Sequence, residues 1–323
     1  MEITVLQKLK GDLRKSAVTL TATEIRYLVD LYYMTQEDRK RAGNQRLALE
    51  KSGEPHALIA YFHEQQAELE KQIKGVLDAY TNGHVMGSWM RGIHGIGPVL
   101  SAGILAHIDI HKAPTVGHIW RYAGLDPTQK WIGREGANER IKELAAAGLQ
   151  LPEMVQHLAD TIGTRAELIR TRATNDNGKI TKESLAKAAA IRPWNEQLKV
   201  LCWKIGQSFM KFAAAEACTY GHWYKQRKQI ELERDASGKF REYAIANASR
   251  YGKSTDAFKH MTEGHLPPAQ IDARARRWAV KLFLSHLHGE WYRREFGKEP
   301  PLPYPIAHLG HAHFIDADDK VPA

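Results

Sequence analysis

Apolar side chains recur at intervals of three and four along most of the 323-residue chain, and runs that alternate apolar with polar are scarce, so the pattern predicts a mainly α protein. From Thr21 to about Met34 the stripe is Ile25, Leu28, Val29, Leu31 and Tyr32, with Thr21 or Thr23 placed to cap it. A second helix over about 55–80 carries Leu58, Tyr61, Phe62, Leu69, Ile73 and Leu77 on one side and Glu, Gln and Lys elsewhere. That arrangement predicts a helical hairpin or a coiled-coil stalk, and a stalk at 55–80 would suit a homodimer. Thr81-Asn82-Gly83-His84 ends it.

A short apolar helix is expected from Val99 to about Ile108 and another from Val116, with Gly124 as its C′ residue and Pro127 as a stop. Residues 137–190 are rich in Ala, Glu, Lys and Leu, broken at Thr174-Asn175-Asp176-Asn177-Gly178. An apolar helix from Leu198 to about Ala217, a charged one near 222–234 and a long one over 269–296 follow, before the Pro-rich stretch 300–305. Three segments result: a helical N-terminal region 1–85, a helix-hairpin-helix domain with a helical insertion over 86–190, and a basic helical region over 191–323.

The chemistry concentrates at Ile93-His94-Gly95-Ile96-Gly97-Pro98-Val99, two glycines at a bend followed at once by a helix. Glycine accepts positive φ and lets a backbone come close, Pro98 fits a first helical turn, and the free N–H groups of a helix start favour an anion. Gly95, Ile96, Gly97, Pro98 and Val99, helped by Arg91, are thus candidate contacts to nucleic-acid backbone; the alternative is a turn whose glycines serve packing alone. Charge favours the first reading: the chain is +9, and residues 191–300 hold 20 Lys and Arg against 12 Asp and Glu. Backbone contacts of this kind position a nucleic acid without specifying its sequence.

The same bend, followed by Ala102 and Leu105 and then by Trp120-Arg121-Tyr122-Ala123-Gly124-Leu125-Asp126-Pro127, resembles the C-terminal transposase domain of a bacterial insertion-sequence family. Transposases of that family pair a RuvC-like four-carboxylate domain with a helix-hairpin-helix domain and are also known as bridge-RNA-guided recombinases. The resemblance covers about residues 88–128, with a looser echo at Arg192-Pro193-Trp194-Asn195. It implies DNA, double-stranded foremost, as partner, RNA as a second candidate, and Mg2+ only if the chain catalyses strand transfer; no other cofactor is expected. A RuvC-like domain would open with a strand bearing an aspartate, whereas the first 80 residues read as helices, so the catalytic half is expected to be absent. The family's serine nucleophile follows the Tyr-Ala-Gly-Leu motif; here Ser184 is the one serine between Ser101 and Ser208, and its surroundings do not match the family's.

On the 269–296 helix, Arg274, Arg277, Lys281, Ser285 and His288 fall within an arc of about 80° at about 100° per residue, amid mostly apolar neighbours. This stripe reads either as a solvated face or as a track for phosphates, with Ser285 a second weak candidate nucleophile beside Ser184. His308, His311 and His313, with His286 and His288 upstream, fit no common zinc spacing, so no metal is expected. Trp120, Trp131, Trp194, Trp203 and Trp223 read as core more readily than as base-stacking platforms. Asp109, Asp126, Asp256 and Asp272 are scattered along the chain. Two cysteines, no signal-peptide core and no membrane-length apolar run suggest a soluble protein of the reducing cytoplasm. Three functions compete: a transposase-related DNA-binding protein of a mobile element or phage, an active divergent recombinase with a serine nucleophile, and a protein-interaction module.

Overall fold

The computed structural model describes residues 9, 11–54, 56–308, 310, 315–317 and 319. The α-helices are α1 (Gly11–Lys15), α2 (Ala22–Lys51), α3 (Ala57–Gly83), α4 (Gly87–Gly92), α5 (Pro98–His107), α6 (Val116–Tyr122), α7 (Gly133–Ala146), α8 (Leu151–Ile162), α9 (Ala166–Ala173), α10 (Lys182–Ala189), α11 (Glu196–Lys211), α12 (Thr219–Ala236), α13 (Arg241–Asn247), α14 (Asp256–Glu263), α15 (Pro268–Phe296) and α16 (Tyr304–His308). The protein is mainly α: among the described residues the only β pairing is an isolated bridge between Thr174 and Ile180. No described helix is long and apolar enough to cross a membrane.

The chain forms two compact units, one of residues 1–112, 203–300 and 314–323, the other of 113–202 and 301–313. Compactness therefore gathers residues from distant parts of the chain, where the sequence suggested three consecutive segments.

In the first unit α2 and α3 pair as a helical hairpin, and α5 packs on both. Thr21 caps α2 through a capping box, its hydroxyl accepting from the Glu24 N–H while Glu24 accepts from the Thr21 N–H. The helix runs well beyond Met34 although its apolar stripe fades. Lys40–Glu37, Arg41–Asp38 and Arg46–Glu50 ion pairs line its polar half, and Arg39 reaches across to Glu70 of α3 at 2.5 Å. The hydrophobic pattern marks only the part of a helix that faces a core; side-chain pairs carry the rest. Further along, Phe209, Tyr220 and Phe283 form an aromatic nucleus whose ring centroids lie 4.9–5.8 Å apart. A smaller core joins Phe240, Ala244, Ala248, Met261, Leu266 and Ile271. Its helices α13 and α14 are only 7 and 8 residues long, too short for apolar positions such as Phe258 and Met261 to recur over several turns.

The second unit is built on Ile141, Met154, Val155, Leu158, Ile169 and Leu185. The stretch 137–190 is several helices, with left-handed glycines at Gly148 and Gly163 between them. The Asn175-Asp176-Asn177-Gly178 tip is ordered by the Asn175 carboxamide, which accepts from the Asn177 and Lys179 N–H groups.

Candidate nucleic-acid interface

The bend at 93–97 joins α4 to α5. The Ile96 N–H donates to the Ile93 carbonyl at 3.0 Å, closing a four-residue turn whose third member, Gly95, has φ +95°. That position needs glycine. Gly97 does not: its φ is −88° and ψ 175°, an extended N-cap before Pro98 at the first helical position. The expectation that both glycines supply positive φ is corrected to Gly95 alone.

One side of the turn is held from below. Ser208 of α11 donates its hydroxyl to the Gly95 carbonyl at 2.6 Å, the Cys218 thiol points at the His94 carbonyl at 3.7 Å, and the Phe212 ring stands edge-on to His94. Ile96, Pro98 and Val99 are buried. A methyl group on Gly95 would meet the Ser208 hydroxyl at 3.2 Å, whereas one on Gly97 would meet nothing within 4 Å. No side chain caps α5. The turn is thus a fixed backbone with one packed flank and, at Gly97, one open flank beside an uncapped helix start. Arg91 is half-exposed beside it, its Nε 3.2 Å from the Asp78 carboxylate.

On α15 the predicted stripe divides. His288 is buried, Ser285 is half-buried, and Arg277 is exposed with no ion pair among the described residues. Arg274 gives its Nε to Glu231 of α12 at 2.6 Å and lays its guanidinium over the Phe240 ring at 4.5 Å. Lys281 is half-buried and engaged. Glu231, Arg227 and Arg234 escaped the sequence reading, although the spacing Arg227-Glu231-Arg234 places all three on one face of α12.

The Tyr-Ala-Gly-Leu-Asp-Pro segment has a structural role in the second unit. Gly124, at φ +65°, ends α6 while the Leu125 N–H returns to the Trp120 carbonyl at 2.8 Å. A methyl group there would lie 2.8 Å from Cγ of Trp194. Asn195 clasps Tyr122 twice, its N–H on the carbonyl at 2.8 Å and its carboxamide on the phenol at 3.1 Å, and Gln129 holds the Pro193 carbonyl at 3.2 Å. The two sequence echoes, 122–127 and 192–195, are therefore one packed contact.

Ser184 caps α10: its hydroxyl accepts from the Thr181 N–H at 2.9 Å and donates to the Thr181 carbonyl at 3.1 Å. Asp109, Asp126, Asp256 and Asp272 pair separately with Lys112, Arg121, Lys259 and Arg276. Among the described residues no three His, Cys, Asp or Glu side chains gather as a metal-ligand set. His311 and His313 lie outside the described residues. His286 donates through Nε2 to the Ile315 carbonyl at 2.9 Å, and its Nδ1 pairs with the Tyr220 hydroxyl at 2.9 Å, as a structural link.

No curated protein and no solved structure matches the chain. Residues 88–150, which contain the bend and the Tyr-Ala-Gly-Leu segment, match the model of the Transposase IS116/IS110/IS902 family, so this stretch is similar to that family.

Proposed function

We propose that this chain is a transposase-related protein of a mobile element or phage that grips nucleic-acid backbone, double-stranded DNA foremost, at the bend between α4 and α5. The observation that carries this reading is the asymmetry of the two glycines. Gly95 is demanded by the fold, but Gly97 has an ordinary φ and no packing neighbour. What a side chain there would obstruct is an approaching ligand. The N–H groups at the start of α5 lack a side-chain cap, and an anion supplies what a cap would. Arg91, tethered to Asp78, adds a fixed positive charge beside them.

The test is an electrophoretic mobility series across salt with duplex DNA and with RNA, comparing the native chain, Gly97→Val and Arg91→Gln. Affinity is expected to fall steeply with salt, and each substitution to weaken binding by about tenfold while thermal stability stays near native. A chain that binds neither nucleic acid at low salt would sink the proposal. Native-like binding by Gly97→Val would move the contact away from the bend.

A further inference from the structure

We infer that the seam between α12 and α15 is a second phosphodiester-binding site, made of arginines that a buried glutamate holds in place. The Glu231 side chain is 1 % exposed, yet it receives three guanidiniums: Arg227, Arg234 at 3.3 Å and Arg274 at 2.6 Å. One carboxylate answers three positive charges. The arginine side chains remain 20 %, 39 % and 38 % exposed, so each reaches solvent from a tethered position. A few ångströms along α15, Asp272 receives Arg276 at 2.7 Å and Lys228 at 3.2 Å. Two carboxylates therefore serve five cations, and Arg277, exposed and directly after Arg276 in the chain, adds one more with no ion pair among the described residues.

The surplus is held rigidly. Arg274 uses Nε on Glu231 and its flat face on Phe240, which leaves its terminal nitrogens as donors. Arg227 lies 5.4 Å from the centre of the Trp278 ring. Burial lowers the pKa of Arg227; Glu231 opposes that, and the neighbouring charges of Arg234 and Arg274 add to the lowering. An anion arriving at this seam relieves that mutual repulsion. Arg274, held through Nε and one face, and Arg234, held at Glu231 with 39 % of its side chain exposed, keep forked donors suited to the paired oxygens of a phosphate. The spread of the cluster over two helices favours a polymer with successive phosphates over a single small anion. An acidic peptide would meet the same charges, but its carboxylates sit on flexible side chains, whereas a nucleic acid carries each charge on the backbone itself.

This inference rests on the nucleic-acid reading above and is tested apart from it. Arg234→Gln combined with Arg277→Gln changes two exposed or half-exposed side chains, so folding is expected to survive; a thermal melt confirms it. Binding of the full chain to duplex DNA and to single-stranded RNA is then followed across salt. The double variant is expected to lose about two phosphate contacts, lowering the slope of log affinity against log salt by about 2 for DNA and somewhat less for RNA. Because the same two contacts cost duplex DNA the larger slope, the preferred partner is read instead from which nucleic acid the native chain binds more tightly at equal salt. A native slope in the double variant overturns the second site while leaving the bend intact as a binder. If the native chain binds neither nucleic acid, both proposals fall. Equal binding to polyglutamate, lost in the same variant, overturns the assignment to a phosphodiester.

Discussion

Gly95 and Gly97 stand two residues apart and answer to different constraints. At φ +95° a residue with a Cβ is strained, and the Ser208 hydroxyl that anchors the turn would sit 3.2 Å from the new methyl group. Gly95→Ala is therefore expected to cost about 2 kcal/mol. Gly97→Ala meets no neighbour and loses only the mild preference of an N-cap for glycine over alanine, under about 1 kcal/mol. Urea denaturation of both variants measures the difference, and equal midpoints would show that the turn is not held as described. The glycine pair was legible in the sequence as a bend. Which glycine serves the fold was not, because that depends on Ser208 and Phe209 of α11 and Phe212 just past its end, more than a hundred residues later.

At the scale of elements, what the sequence disclosed follows from where the information is local. The Thr21 cap, Pro98 at a helix start and the left-handed Gly124 at a helix end all act within a few residues of themselves, and each lies where the pattern places it. The far half of α2 and the short helices α13 and α14 were not visible, since ion pairs across α2 and α3 and a small core around Phe240 and Met261 hold them. The contact between the Tyr122–Pro127 segment and Trp194-Asn195 was half visible: both pieces stood out, but nothing local says that they touch. Gly124→Ala tests that contact. With φ +65° and Trp194 Cγ 2.8 Å from the added methyl group, the end of α6 and the clasp of Asn195 on Tyr122 cannot both keep their geometry. A loss of about 2–3 kcal/mol is expected, readable as a lowered thermal midpoint. A native midpoint would mean that the two segments pack independently.

For the whole molecule, the +9 charge is a poor guide until its partners are known. Much of the basic excess over 191–300 is tied to Glu196, Glu231, Asp272, Glu290 and Glu299. The same three-dimensional accounting sets the response to acid. His107 is buried at the end of α5, its Nδ1 lacks a hydrogen-bond partner, and burial, with the nearby Arg26 charge, pushes its pKa down to about 4 from 6.5. His84, beside Trp291, is also lowered by burial, against an opposing pull from Glu295. A histidine held neutral in the folded state favours folding fully above its unfolded pKa, and that advantage is lost as pH falls from about 6.5 toward the folded value. Glu70, Glu231 and Asp272 do not interfere in the upper part of this window. Burial works to raise them, but hydrogen bonds and cationic partners prevail and hold them below their ordinary values, so they remain ionised. The urea midpoint is thus expected to fall between pH 6.5 and 4.5 by an amount on the order of 2 kcal/mol, with His107 the larger source. His107→Gln should flatten most of that slope. If the variant keeps the native pH dependence, the proton is taken up elsewhere and His107 is not the neutral core residue that its burial describes.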